Sequence, residues 1–247
     1  HTFGAFMSLA SPVATEMMAG MGFDWLLIDM EHSPADFQTL LWQLQAIAAA
    51  GGDTVPMVRV QGNEPNVIKR TLDTGAMGIM VPGIRTVEDA ERAVAACKYP
   101  PAGFRGVAGV RASGWGKDAE YQKRINREVL VILQIETKDA LANLDGILKV
   151  KGVDVAFLGP ADLSWELGHP GVTGHKDVQA AFRTLEATCV KHKMPLGSVS
   201  ASEDEAADRI KRGYKFLSYK SDLRFLQEAA SQGLAFVRKT EQGLKKK

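Results

Sequence analysis

Four segments of the sequence run from apolar residues straight into groups that can do chemistry. Trp25-Leu26-Leu27-Ile28 leads to Asp29, Glu31 and His32, and Met57-Val58 leads to Arg59. Val131-Ile132-Leu133 leads to Gln134 and Glu136, and Phe157-Leu158 leads to Gly159-Pro160-Ala161-Asp162. A buried run that ends in a charge needs a reason, because an unpaired charge out of water is expensive. Glu136 and Asp162 are hard oxygen ligands, suited to Mg²⁺ or Mn²⁺ with water and substrate in the remaining positions. No His or Cys belongs to that pair, so a closed structural zinc site is not expected. Arg59 offers a planar fork for a carboxylate or a developing oxyanion. His32 can act as a general base near neutral pH, with an adjacent carboxylate such as Asp29 fixing its tautomer. A metal polarising a 2-oxo acid, an arginine on its oxyanion and a histidine base amount to an enolate-stabilising site. Taken alone, Asp162 reads as a helix N-cap; the set as a whole points to a shared site.

These residues can cooperate only if the chain brings their segments to one rim. Short apolar runs recur along the sequence, each followed by a stretch of helical period, which is the pattern of buried parallel strands joined by crossover helices. The strands are expected at Phe3 to Leu9, Trp25 to Met30, Val55 to Val60, Gly78 to Pro82, Val129 to Ile135, Val153 to Leu158, Leu196 to Ser200 and Lys215 to Tyr219. Helices are expected at Val13 to Met21, Ala35 to Ala50, Pro65 to Thr74, Thr86 to Lys98, Lys138 to Leu148, Lys176 to Lys193, Glu203 to Arg212 and Asp222 to Gln232. Thr86 with Asp89 and Ser202 with Glu205 have capping-box spacing, and Gly51, Gly75, Gly152 and Gly213 stand where helices should stop. The helix after Asp36 repeats Phe37, Leu40, Leu41, Leu44, Ile47 and Ala48 on one face, which predicts a core stripe.

Eight such βα units without a linker or composition shift predict an α/β fold, a (β/α)8 TIM barrel as a single domain over residues 1–247. In that fold the active site lies at the carboxyl ends of the strands, where the four segments above end. Tyr99 to Arg127 is long for a connection inside a compact domain; it is read as covering the site, the alternatives being an oligomer contact or no identifiable role. Lys245 to Lys247 reads as a solvated terminus.

Composition removes other classes. With 30 Lys+Arg against 29 Asp+Glu the chain has a formal charge of +1, so no basic field is available for nucleic acid. No apolar run reaches the ~18 residues that would cross a bilayer, so no membrane role is expected. Cys97 and Cys189 are far apart and form no CxxC, which argues against a disulfide framework and suits a reducing, cytoplasmic location.

Five motifs, Trp25 to His32 (WLLIDMEH), Pro56 to Val60 (PMVRV), Tyr99 to Gly106 (YPPAGFRG), Gln134 to Thr137 (QIET) and Gly159 to Leu163 (GPADL), resemble the HpcH/HpaI aldolases. The resemblance runs from about Gly4 to the eighth strand, nearly the whole chain. It implies a metal-dependent (class II) pyruvate aldolase, reversibly cleaving 4-hydroxy-2-oxo acids to pyruvate and an aldehyde. It also implies a homo-oligomer, commonly a hexamer built as a trimer of dimers that exchange their last helix. Carried over by motif, Glu136 and Asp162 would hold the divalent cation (Mg²⁺, Mn²⁺ or Co²⁺). Gln134, Gly159, Pro160, Ala161 and the amide of Asp162 would hold pyruvate, Arg59 its enolate, and Phe6 and Phe157 its methyl group. His32, backed by Asp29, would be the base, working through a water. Asp73 matches a position that a neighbouring subunit supplies, although on its own it reads as a surface helix residue.

Val107 to Arg111 and Ser198 to Ser202 depart from the pattern and could face the aldehyde half, so the acceptor is the least transferable feature. Other readings stay open. Lys220 follows the eighth strand, where a Schiff-base aldolase would carry its lysine. A CoA-ester lyase of malyl or citramalyl type shares the carboxylate pair and the arginine, and an inactive pyruvate-binding barrel would be a non-enzyme. His169 and His175 could form a metal pair but read first as loop residues. The last helical stretch, Phe225 to Val237, is unusually apolar, for assembly or for packing on its own barrel.

Overall fold

Successive residues of a strand point to opposite faces, so a sheet closed on itself needs one apolar set for its interior and another for the helices outside. The chain supplies both. The computed structural model describes residues 1–244 and is a closed barrel of eight parallel strands, each paired with the next and the last with the first. The expected tail Lys245 to Lys247 lies outside the described residues. The strands are β1 (Thr2–Met7), β2 (Trp25–Asp29), β3 (Val55–Arg59), β4 (Gly78–Val81), β5 (Leu130–Ile135), β6 (Val155–Leu158), β7 (Leu196–Ser200) and β8 (Phe216–Ser221). The first helices are α1 (Pro12–Ala19), α2 (Phe37–Ala49), α3 (Pro65–Asp73), α4 (Val87–Cys97), α5 (Tyr121–Glu128) and α6 (Lys138–Ala142). They are followed by α7 (Leu144–Ile147), α8 (Pro160–Glu166), α9 (Lys176–His192), α10 (Glu203–Lys211) and α11 (Asp222–Leu244).

The inward set begins apolar. Trp25, Leu27, Met57, Met80, Ile132 and Val155 pack inside the barrel with Phe6, Phe157 and Phe216. Trp25 stacks flat on Phe216 with ring centroids 4.1 Å apart, and Gly4 makes the room, since a Cβ there would lie 2.1 Å from the indole. One step further along the same faces come Asp29, Arg59 and Gln134, so the interior turns polar at the carboxyl ends. The outward set packs against the helices in a second, larger core that includes Leu26, Ile28, Val58, Val131, Leu133 and Leu158.

Local signals act as their chemistry dictates. Thr86 and Asp89 form a reciprocal capping box on α4. On α10 the Ser202 hydroxyl accepts from the amide of Glu205, but the Glu205 carboxylate reaches one residue further, to the amide of Ala201. Gly51, Gly75 and Gly213 take positive φ just past the ends of their helices, and Gly152 takes it in the turn that follows α7 by a few residues. The buried stripe of α2 is rotated from its expected position: Leu40, Leu44 and Ile47 are buried as expected, but Gln43 and Ala46 replace Leu41 and Ala48. The Gln43 amide can be buried because it donates to the Thr15 hydroxyl at 3.0 Å. The helix expected over Lys138 to Leu148 breaks at Asn143, whose amide donates to the carbonyls of Asp139 and Arg85.

The long stretch before β5 is folded rather than open. Arg111–Ser113 is a 3₁₀ turn against α3, with Arg111 donating to the Thr74 carbonyl at 2.6 Å, and α5 follows. The last helix runs twelve residues past its expected end, from Gln232 to Leu244. Its start is fixed by the buried Asp222 carboxylate, which accepts from the amides of Ser8 (2.7 Å) and Leu9 (3.2 Å), and by Phe225 against Phe23 and Tyr219. From Ala229 onward every described residue is exposed, Leu234, Phe236, Val237 and Leu244 among them, so packing on its own barrel is limited to the first turns. Among the described residues no helix is long and apolar enough to cross a membrane.

The Gly4 contact gives a direct test of the inner core. Gly4→Ala forces a methyl group into the Trp25 ring, and overpacking of this kind costs roughly 1–3 kcal/mol. The urea midpoint should fall accordingly with an unchanged slope.

Candidate active site

The register of β2 on β3 sets Asp29 beside Arg59. Both side chains are buried, and the pair is bidentate, with Arg59 Nε donating to one Asp29 oxygen at 2.9 Å and Nη2 to the other at 2.7 Å. The remaining arm, Nη1, lies 3.1 Å from Glu31, and the guanidinium sits over the Phe6 ring at 4.9 Å. Burial pushes the Glu31 carboxyl up from the usual range, with Arg59 acting in the opposite direction.

This arrangement corrects one expected contact. Asp29 holds the segment of His32 through its backbone, accepting from the amides of Glu31 (3.0 Å) and His32 (3.3 Å), while both carboxylate oxygens are occupied by Arg59. The His32 imidazole is largely exposed, and its acidic neighbour is Glu31, with Nε2 3.7 Å from the carboxylate. Asp29 therefore orients arginine, and Glu31 is the residue placed to orient histidine.

The second half of the rim comes from β5 and β6. Glu136 is buried just beyond β5, accepting from the Gly83 amide at 2.9 Å with one oxygen and from the Gln134 side chain with the other. Gly159 leaves space for it, because a Cβ there would lie 2.5 Å from a Glu136 oxygen. Burial raises the Glu136 carboxyl above the ordinary carboxylate range, and the nearby charges of Asp162 and Glu31 push in the same direction. Asp162 is exposed in the first turn of α8, where Pro160 occupies N1 and the amides of Ala161 and Asp162 have no intrahelical acceptor.

These groups meet at one cavity of about 480 Å³ at the carboxyl ends of the strands. Phe6, Asp29, His32, Arg59, Gln134, Phe157, Gly159, Pro160, Ala161 and Asp162 all line it, while Glu136 stands one layer behind Gly159 and Gln134. Ser8, Val199, Ser200, Ala201, Lys220, Ser221 and Arg224 complete the wall. Of the two departures from the family pattern, the Ser198 to Ser202 segment reaches the cavity and Val107 to Arg111 does not. Ser8, Ser221 and Arg224 were not foreseen; Ser8 and Ser221 stand at the ends of β1 and β8, where the strand-end rule could have found them.

Asp73 lies at the end of α3, outside this cavity, and accepts from the fully buried Arg105 at 2.8 Å. Lys220 does not resemble a Schiff-base nucleophile: its ammonium is 2.6 Å from Glu228, a contact that raises its pKa, whereas an amine nucleophile needs it lowered. The His169 and His175 rings stack at 3.4 Å beside Asp177, but His175 Nδ1 already serves α9 by accepting the Asp177 amide.

Comparison with known proteins agrees with this geometry. The HpcH/HpaI aldolase/citrate lyase family profile matches residues 2–229. The chain is 42% identical over 236 residues to a 2-dehydro-3,6-dideoxy-6-sulfogluconate aldolase of Pseudomonas putida, covering 95% of this chain and 92% of the relative. It is 41% identical over 241 residues to a hydroxypyruvate/pyruvate aldolase of Paraburkholderia phytofirmans, covering 96% and 93%. Among solved structures, a HpcH/HpaI aldolase/citrate lyase family protein from Burkholderia cenocepacia J2315 superimposes with a TM-score of 0.94 at 39% identity, covering 96% of this chain and 94% of that one. The barrel, the rim and these relatives together make this chain a carbon–carbon lyase of the HpcH/HpaI aldolase/citrate lyase family.

Proposed function

We propose that the chain is a divalent-metal-dependent aldolase that reversibly cleaves 4-hydroxy-2-oxo acids to pyruvate and an aldehyde. The observation that carries this reading is the crowding of Glu136, Asp162 and Glu31 beside Arg59 at one cavity. A carboxylate whose pKa is raised by burial and pushed further by two like charges marks a site that favours positive charge. Mg²⁺, Mn²⁺ or Co²⁺ fits this donor set: Glu136 and Asp162 would hold it, each Glu136 oxygen keeping a lone pair beside its hydrogen bond. Such a cation supplies a Lewis acid that polarises the 2-oxo group.

The chain's own residues account for the remaining steps. The amides of Ala161 and Asp162 and the Gln134 side-chain N–H not given to Glu136 bind the 2-oxo acid. Phe6 and Phe157, which face each other with centroids 6.3 Å apart, shelter the pyruvate methyl group. In cleavage the C4 hydroxyl proton passes to His32, through a water, and the C3–C4 bond breaks to release the aldehyde. The bonding pair becomes the enolate, whose oxyanion would take the Arg59 Nη hydrogens that Asp29 and Glu31 leave over, with Asp29 holding the guanidinium in place, and protonation at C3 gives pyruvate. Asp73 of a neighbouring subunit completes the site in this reading. The exposed apolar face of α11 supports a homo-oligomer, a hexamer built from dimers, and the two buried free thiols, Cys97 and Cys189, suit the cytoplasm.

The function is tested by coupled detection of pyruvate release from a panel of 4-hydroxy-2-oxo acids, with and without Mg²⁺, Mn²⁺ and Co²⁺. Silence across the panel from folded protein would overturn it. Glu136→Gln should abolish release, remove the rise in Tm that added metal gives the native enzyme, and yet raise Tm in EDTA at neutral pH. The sign follows from linkage: a carboxyl whose folded pKa is raised destabilises the fold above that pKa, and the penalty disappears as pH falls through it. A neutral amide carries no such penalty, and the Gln134 amide can turn its orphan oxygen to accept from it. Arg59→Lys keeps the charge but loses the fork, so kcat should fall by about 10²–10³ with a smaller change in KM; a rise in KM with kcat unchanged would show that Arg59 stabilises the ground state as much as the transition state.

A further inference from the structure

One residue between the base and the arginine takes no step in the chemistry above. Asp29, His32 and Arg59 all line the cavity, whereas Glu31 does not, so it can act only through its neighbours. Its Oε2 lies 3.1 Å from Arg59 Nη1 on one side and 3.7 Å from His32 Nε2 on the other. That oxygen is buried, yet it makes a well-aligned hydrogen bond to neither. An acceptor held out of water in this way is costly, and in a native fold it calls for a role.

The backbone at this point is fixed. The amides of Glu31 and His32 both donate to Asp29, at 3.0 and 3.3 Å, so a change of partner by Glu31 needs side-chain rotation alone. Burial raises the Glu31 carboxyl, Arg59 and His32 act against that, and Asp29 and Asp162 act with it. The reaction alters this balance. When the C4 hydroxyl proton passes to the imidazole, His32 becomes a cation as the C3–C4 bonding pair becomes an enolate. With Nε2 turned toward Glu31, Nδ1 is the nitrogen left to take that proton. Glu31 then has a charged N–H beside it, while Arg59 has a new anion to meet, and both contacts strengthen if the carboxylate changes sides.

We infer that Glu31 is a positioning residue that exchanges partners during catalysis: it rests against Arg59 Nη1 in the free site and moves to the His32 imidazolium as the enolate forms, freeing an Arg59 hydrogen for the oxyanion. The inference rests on the aldolase reading and adds to it a coupling between the base and the arginine. One proton leaves the C4 hydroxyl and one is added at C3, so charge balances when His32 is neutral again and the carboxylate returns to Arg59.

The probe is oxalate, a planar dianion that copies the pyruvate enolate. In crystals of the native enzyme with Mg²⁺ and oxalate, grown at mildly acid pH to favour the imidazolium, Glu31 should lie within hydrogen-bond distance of His32 Nε2 and away from Arg59 Nη1. Glu31→Gln should bind oxalate about three- to tenfold more tightly, because a neutral amide competes less for the guanidinium, with a smaller gain for pyruvate. Its kcat should nevertheless fall by about tenfold or more, the scale of one charged contact. A merely structural role would weaken binding and turnover together. An oxalate complex in which Glu31 stays on Arg59 overturns the exchange of partners, as does a Glu31→Gln enzyme that loses oxalate affinity or keeps its kcat. Deuterium exchange at the pyruvate methyl group of the native enzyme separates the two readings. Exchange combined with an unmoved Glu31 defeats the partner change alone, whereas no exchange and no aldol addition defeats the aldolase reading beneath it.

Discussion

Converging negative charge organises one end of this barrel. Asp29, Glu31, Glu136 and Asp162 converge there, and the Arg59 guanidinium meets two of them, taking both oxygens of Asp29 and one arm's distance of Glu31. Glu136 receives hydrogen bonds from Gly83 and Gln134, and burial together with the charges of Asp162 and Glu31 disfavours its ionised form. Low-dielectric surroundings make such crowding costly, and the fold accommodates it by rigid placement. Each group sits on or just past a strand whose register is fixed by two neighbours.

The opposite end of the barrel carries the stability that this arrangement spends. There the interior is closed by the Trp25–Phe216 stack over Gly4 and by Met57, Met80 and Ile132, with no charge among them. The same inward faces thus change character along their length, from packed rings to ionised groups, within the few residues of a strand. Damage to the lower layer is expected to lower stability first, and damage to the upper layer to alter chemistry first.

Much of this was legible in the sequence, for physical reasons that differ by element. Strands buried on both faces read as short apolar runs, and all eight were found to within a few residues, because each run is strand-sized and is followed by a stretch of helical period. The strand-end rule then located Asp29, Arg59, Gln134 and Asp162 at one cavity. What escaped depended on contacts that have no period. The α2 stripe is rotated by a Gln43–Thr15 hydrogen bond, and the helix expected after Lys138 is cut by the Asn143 side chain. Asp29 turned from histidine to arginine because a fork of two hydrogen bonds outcompetes a single one. The change of register between β1 and β8 was invisible because such a shift leaves no trace in alternation. The exposed end of α11 reads as an ordinary amphipathic helix until its surroundings are known.

Gly159 carries a consequence of a different kind. Any other amino acid at this position would bring a Cβ to within 2.5 Å of the Glu136 carboxylate. Every missense change of a glycine codon adds that atom, so the genetic code offers the position no mild neighbour. Glu136 and Gly159 lie just past the ends of adjacent strands, yet they are free to drift only together: the glutamate would have to shorten or leave before the glycine could change. A lineage that kept the carboxylate would therefore inherit the glycine with it, as one unit of descent rather than two.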